Sequence, residues 1–149
     1  GFILEEKARR FAQLVIERFH VKTPNEKRAA GSLSGGNLQK FIMGREILNR
    51  PRVLLVNQPT WGVDVGAAAV IRNALMRLRE EGAAIVVVSE EIDEIFEIAD
   101  RVAVMYRGHL SPAVPKADIT VEEVGRWMSG LWPGSSFKNT QDKDAEVAR

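Results

Sequence analysis

A chain of 149 residues with 45% apolar and 28% charged side chains suits one ordinary globular domain. Its formal net charge of +1 gives no global pull toward nucleic acid or an anionic bilayer, and the absence of cysteine excludes disulfides, thiolate metal sites and a cysteine nucleophile. The longest purely apolar run, Ala83 to Val88, falls far short of the roughly 18–20 residues a membrane-spanning helix needs. No charged region followed by an apolar core opens the chain, so no signal peptide is expected, and Gly1 reads as the start of a piece cut, processed or engineered from something longer.

From Leu4 to Phe19 the apolar residues Leu4, Ala8, Phe11, Ala12, Val15, Ile16 and Phe19 keep helical spacing. Lys22 to Ala30 is a polar loop, and Ser32 to Gly36 a small-residue turn. Helical spacing resumes from Asn37 to Asn49 and stops at Pro51. Val53 to Val56 reads as a strand buried on both faces, Gly66 to Glu81 as a helix closed by Gly82, and Ala84 to Ser89 as a second buried strand. A short acidic helix is expected over Glu91 to Ala99, a third strand over Arg101 to Arg107, and a turn at Gly108. Thr120 to Met128 opens with a capping-box pattern, Thr120-Val121-Glu122-Glu123. After Pro133 the composition becomes polar and reads as a disordered tail. Alternating strands and helices imply a parallel sheet with right-handed crossovers, preceded by a helical layer.

The stretch Leu33-Ser34-Gly35-Gly36-Asn37-Leu38-Gln39-Lys40 carries the most chemistry. A Ser-Gly-Gly turn at a helix N-terminus presents unpaired amides, a hydroxyl and the positive end of the helix dipole, which together suit a phosphate-sized anion. The same turn also serves as a plain N-cap with glycines, and the turn alone does not decide between the two.

The full string resembles the LSGGQ-type signature of ATP-binding-cassette (ABC) ATPases, in the Asn form of sugar and nucleoside importers. Val53-Leu54-Leu55-Val56-Asn57-Gln58-Pro59-Thr60 resembles the Walker B strand and its sequel, and Gly62-Val63-Asp64-Val65-Gly66 the D-loop. Ala84 to Glu91 resembles the strand leading to the switch position, and Arg101 to Gly108 the strand after it. The resemblance spans Leu4 to Gly130 and implies a partial P-loop NTPase fold of the α/β class. That fold would have a parallel sheet core and a helical subdomain and would lack the Walker A region, since no G-x-x-x-x-G-K-[ST] occurs. The implied divisions are a signature-bearing helical part (1–50), a Walker B and D-loop half with a C-terminal helix (51–132) and a polar tail (133–149).

Four positions depart from the family pattern. Asn57 and Gln58 stand where the family carries Asp-Glu, the Asp for the Mg²⁺ shell and the Glu for the attacking water. Glu90 stands at the switch position, usually His, and Trp61 where Arg is common. Amides bear no charge and take no proton, and a carboxylate at the switch would repel a triphosphate, so a degenerate site with no competent catalytic residue and no metal ligand is expected. The resemblance implies that Ser34, Gly35, Gly36, Asn37 and Gln39 contact ATP held by another cassette, with Asp64 coupling the two across the interface. ATP and Mg²⁺ would then belong to the complete transporter. Its partners would be a second cassette, membrane permeases and, indirectly, a solute-binding protein, at the cytoplasmic face of the plasma membrane, with no nucleic acid. The isolated chain would be inactive, and the closing Glu122 to Met128 leans toward the nucleoside branch. The alternatives are a non-catalytic regulatory module and a DNA-maintenance ATPase of the same superfamily, although the coiled-coil heptads usual in the latter are absent.

His20 and His109 lie apart, without neighbours at metal-ligand spacing. The acidic run of Glu90, Glu91, Asp93, Glu94 and Glu97 reads as a solvated face at a helix start, and Trp127 and Trp132 as packing around the last helix.

Overall fold

The computed structural model describes residues 5–135; the expected helix residue Leu4 and most of the expected tail lie outside that range. The chain forms two compact units, Gly1–Glu90 and Glu91–Arg149.

In the first unit, helix α1 (Glu5–Arg18) places acidic residues in its first turn and Arg18 in its last, matching the helix dipole. It ends with His20 in the left-handed region at φ 50°, where the Val21 amide reaches back 3.0 Å to the Ile16 carbonyl. His20 therefore does a turning job at the helix end. Helix α2 (Gly35–Leu48) crosses α1 so closely that a Cβ on Gly44 would lie 2.6 Å from Phe19 and 2.9 Å from Val15. Val15 is fully buried and Phe19 nearly so, which makes this crossing a centre of the core.

Strand β1 (Val53–Asn57) pairs in parallel with β2 (Ala84–Val88), from Val53 opposite Ala84 to Asn57 opposite Val88. Between them runs α3 (Val65–Glu80), whose Ala67, Ala68, Ile71, Ala74, Leu75 and Leu78 are buried. The helix closes as expected, with Gly82 at φ 96° and the Ala83 amide bonded to the Leu78 carbonyl, a Schellman ending. Burying a side chain the size of Ile71 or Leu75 stabilises the fold by about 1.5–3 kcal/mol.

Two expectations fail here. The strands are not buried on both faces: Leu54 and Val56 are covered, whereas Val53 and Leu55 are each 70% exposed, Val86 54% and Val88 46%. A continuous apolar run shows that both faces are greasy, but not that both are covered within this chain. Helix α2 also starts two residues earlier than periodicity suggests. Ser34 is already the extended N-cap, and both glycines sit in the first turn, where a helix tolerates them.

In the second unit, α4 (Ile92–Ile98) and α5 (Val121–Trp127) are helices as expected. The capping box of α5 is complete: the Thr120 hydroxyl accepts from the Glu123 amide and the Glu123 carboxylate accepts from the Thr120 amide. Trp127 is buried beside Val102, Val104, Ile119 and Val124, with Trp132 packed against that cluster, as the sequence implies. The expected single strand over Arg101–Arg107 is instead two short ones. β3 (Arg101–Val102) pairs antiparallel with β6 (Val114–Pro115), and β4 (Met105–Tyr106) with β5 (His109–Leu110). Arg107 and Gly108 both have positive φ, 46° and 78°, so the chain turns a two-residue hairpin and folds back on itself.

Candidate functional site

The site is built where the first turns of α2 meet the loop that leaves β1. Ser34 caps α2 at φ −62°, ψ 154°, yet its hydroxyl makes no bond to the first-turn amides. It accepts instead from Asn37 Nδ2 at 2.9 Å, and Asn37 Oδ1 in turn accepts from the Lys22 amide at 2.8 Å. Ser34 and Gly35 are exposed, Gly36 and Asn37 half-buried. An accessible turn of this kind offers amide donors and the helix dipole to an anion.

The two glycines differ in what surrounds them. A Cβ on Gly35 would meet nothing within 4 Å, whereas a Cβ on Gly36 would lie 2.7 Å from the Gly62 carbonyl oxygen. Gly62 itself has φ 71°, a left-handed conformation that a glycine adopts without strain.

Three residues further along α2, the Gln39 side-chain amide donates to the carbonyls of both Gln58 and Pro59 at 3.0 Å each. Gln58 follows the end of β1 with φ 49°, its amide bonded to the Val88 carbonyl at 2.7 Å, and Pro59 is fully buried. Lys40 is only 6% exposed, and its Nζ lies 3.0 Å from Asp64 Oδ2. The other Asp64 oxygen caps α3 by accepting from the Ala67 amide at 2.9 Å. The Ala67 amide and then Lys40 hold the Asp64 carboxyl below its ordinary range.

Ser34, Gly35, Gly36, Asn37, Gln39 and Asp64 are thus brought together, with Asp64 engaged by partners within its own chain. Asn57, at the end of β1, and Glu90, two residues beyond β2, are both exposed; Gln58 is half-buried. Trp61 is 75% exposed and Val65 85%. Asn57 and Gln58 can share hydrogen bonds but supply neither the charge nor the basicity of carboxylates. The residue that sequence reasoning left unassigned is Lys40. Its signal was present: a lysine on the same helical stripe as Met43, Gly44 and Ile47 needs an acidic partner within reach of its ammonium. Among the described residues, no group of three or more His, Asp or Glu is placed to hold a metal ion, and no helix is long and apolar enough to cross a membrane.

No family model matches the chain. It is 42% identical over 130 residues to the nucleoside import ATP-binding protein NupA of Lactococcus lactis subsp. cremoris, covering 87% of this chain and 26% of that protein. It is 43% identical over 124 residues to the glucose import ATP-binding protein TsgD13 of Haloferax volcanii, covering 82% of this chain and 22% of the relative. The chain therefore spans about a quarter of the length of these curated relatives. Among solved structures it superposes on the ATP-binding cassette MJ0796, in a dimeric post-hydrolysis state with ADP and Pi, at a TM-score of 0.67 and 24% identity, covering 78% of this chain and 50% of that one.

Proposed function

We propose, because this chain belongs to the ABC ATPases with relatives among sugar and nucleoside importers, that it serves as part of the ATP-binding subunit of such an importer and acts chiefly through its signature turn. On this reading, residues 1–50 carry the turn, residues 51–132 carry the strand and loop behind it, and the importer works at the cytoplasmic face of a membrane with permease and solute-binding partners. The solute is a nucleoside or a simple sugar. The order of the signature, strand-end and D-loop segments supports this, as does the identity to nucleoside and glucose import proteins.

The observation that carries the reading is the accessible Ser34–Gly35 turn, with a hydroxyl not spent on the first-turn amides and open space beside Gly35. These groups fit the terminal phosphate of a nucleotide held by another cassette: the amides and hydroxyl donate, and the helix dipole favours the anion. The strand-end residues do not fit Mg²⁺ or a general base. Asn57 and Gln58 are amides, so the chain's own half-site is read as silent and hydrolysis is assigned to the partner's site. Losing general-base assistance costs typically a factor of about 10²–10⁴.

Replacing Ser34 by Trp in the full transporter tests the reading. Turnover should fall by at least about 10²-fold, as when a donor to a developing charge is removed. Unchanged ATP hydrolysis in a folded variant would sink the trans role.

A further inference from the structure

Three contacts join the first two turns of α2 to the loop over residues 58–64: Gly36 against the Gly62 carbonyl, Gln39 bonded to the Gln58 and Pro59 carbonyls, and Lys40 paired with Asp64. We propose that Gln39 and Lys40 are positioning residues, locking the phosphate-facing turn to the loop that follows the chain's own strand end so that the two shift as one body. Its functional consequence rests on the trans-clamp reading above.

The geometry leaves little slack. Gly36 and Gly62 are already at a separation that admits no Cβ, so α2 cannot roll toward the loop. Gln39 spends its amide on two successive carbonyls, the first belonging to Gln58, which occupies the left-handed region at φ 49°. That conformation is costly for a residue other than glycine and persists only where its surroundings impose it. The Lys40 side chain is buried and its ammonium meets a single, exposed carboxylate, which also starts α3. A pair between a buried lysine and a carboxylate whose side chain is 68% exposed adds little net stability, and its clearest use is to fix one arrangement among several. The arrangement fixed here ties Ser34, which faces a nucleotide on the partner, to Asn57 and Gln58, which end this chain's own strand. A displacement at the silent strand end would therefore be delivered to the clamp.

The test uses the full-length protein assembled with its partner cassette, in the variants Gln39→Met, Lys40→Met and Lys40→Arg. Hydrogen exchange is followed in peptides covering residues 34–37 and 58–64, alongside steady-state ATP turnover. Gln39→Met and Lys40→Met should speed exchange in both segments together, because local opening follows cooperative units. They should lower kcat about tenfold or more with KM little changed, since misplacement of a group that closes on bound substrate affects the reacting state. Lys40→Arg should restore both readouts. Faster exchange in one segment alone, or unchanged kcat in a folded variant, overturns the proposal. If Lys40→Met does not fold, Asp64→Asn decides, because asparagine keeps a capping oxygen for Ala67 while giving up the ion pair. If Ser34→Trp spares turnover while the two segments still open together, the clamp reading fails and the mechanical joint stands. Loss of turnover in Ser34→Trp, with the two segments opening independently, overturns the joint and leaves the clamp reading intact.

Discussion

Gly35 and Gly36 are neighbours in sequence but answer to different neighbours in space. Gly36→Ala drives a methyl to 2.7 Å from a backbone oxygen that no rotamer can move. It should destabilise the chain by about 1–3 kcal/mol, as overpacking does. Gly35→Ala meets open space in the first helical turn and should leave unfolding within about 0.5 kcal/mol of the parent. Denaturant unfolding of the two variants checks the contrast, and equal destabilisation would remove the distinction. On the proposed trans-clamp reading, Gly35→Ala should nevertheless impair ATP turnover in the full-length assembly, because the space it fills is the one that reading gives to a nucleotide. The string from Leu33 to Lys40 was legible as a helix start with an accessible Ser-Gly-Gly turn, while its residue types alone left a phosphate-facing turn and a plain N-cap both open. The pairing of Lys40 with Asp64, 24 residues apart, was not, because side-chain partners across a fold leave no mark at any fixed spacing.

Element ends were the most legible part of the chain. Gly82 after α3 and the Thr120–Glu123 pair before α5 both close helices as their residue types require. Thr120→Ala should cost about 0.5–2 kcal/mol through loss of the N-cap. The Thr120 amide, followed by its hydroxyl, holds the Glu123 carboxyl below its ordinary 4.5. A carboxyl lowered in the folded state adds stability that is fully present above its unfolded value and fades as pH falls through the lower folded one. The deficit of Thr120→Ala should therefore be largest near neutrality and shrink below about pH 4.5; a deficit that grows on acidification would contradict the capping-box account. Element partners were less legible. The apolar run over residues 101–107 fits a strand of a parallel sheet as well as two arms of antiparallel pairs. The positive φ of Arg107, a residue that does not favour it, decides for the hairpin.

For the molecule as a whole, the main feature is the uncovered face of the parallel pair. Val53, Leu55, Val86 and Val88 form an apolar surface suited to burial under further chain, and the protein spans half of the solved cassette it superposes on. Periodicity could not reveal this, since apolar side chains on both faces look the same whether or not a covering layer is at hand. Leu55→Lys should keep unfolding within about 0.5 kcal/mol of the parent, as surface changes do, and should reduce self-association measured by light scattering. Leu54→Lys, one residue away and on the covered face, should abolish folding. Equal tolerance of the two would show that the sheet has no inner side.

The hydrogen bond from Asn37 to Ser34 has a consequence of its own. With one lone pair of the serine oxygen already occupied by the asparagine amide, the hydroxyl keeps its proton available to donate. Having already taken one hydrogen bond, the group is polarised to give the next. On the proposed trans-clamp reading, a turn so biased should discriminate by sign, favouring an oxyanion over a metal cation.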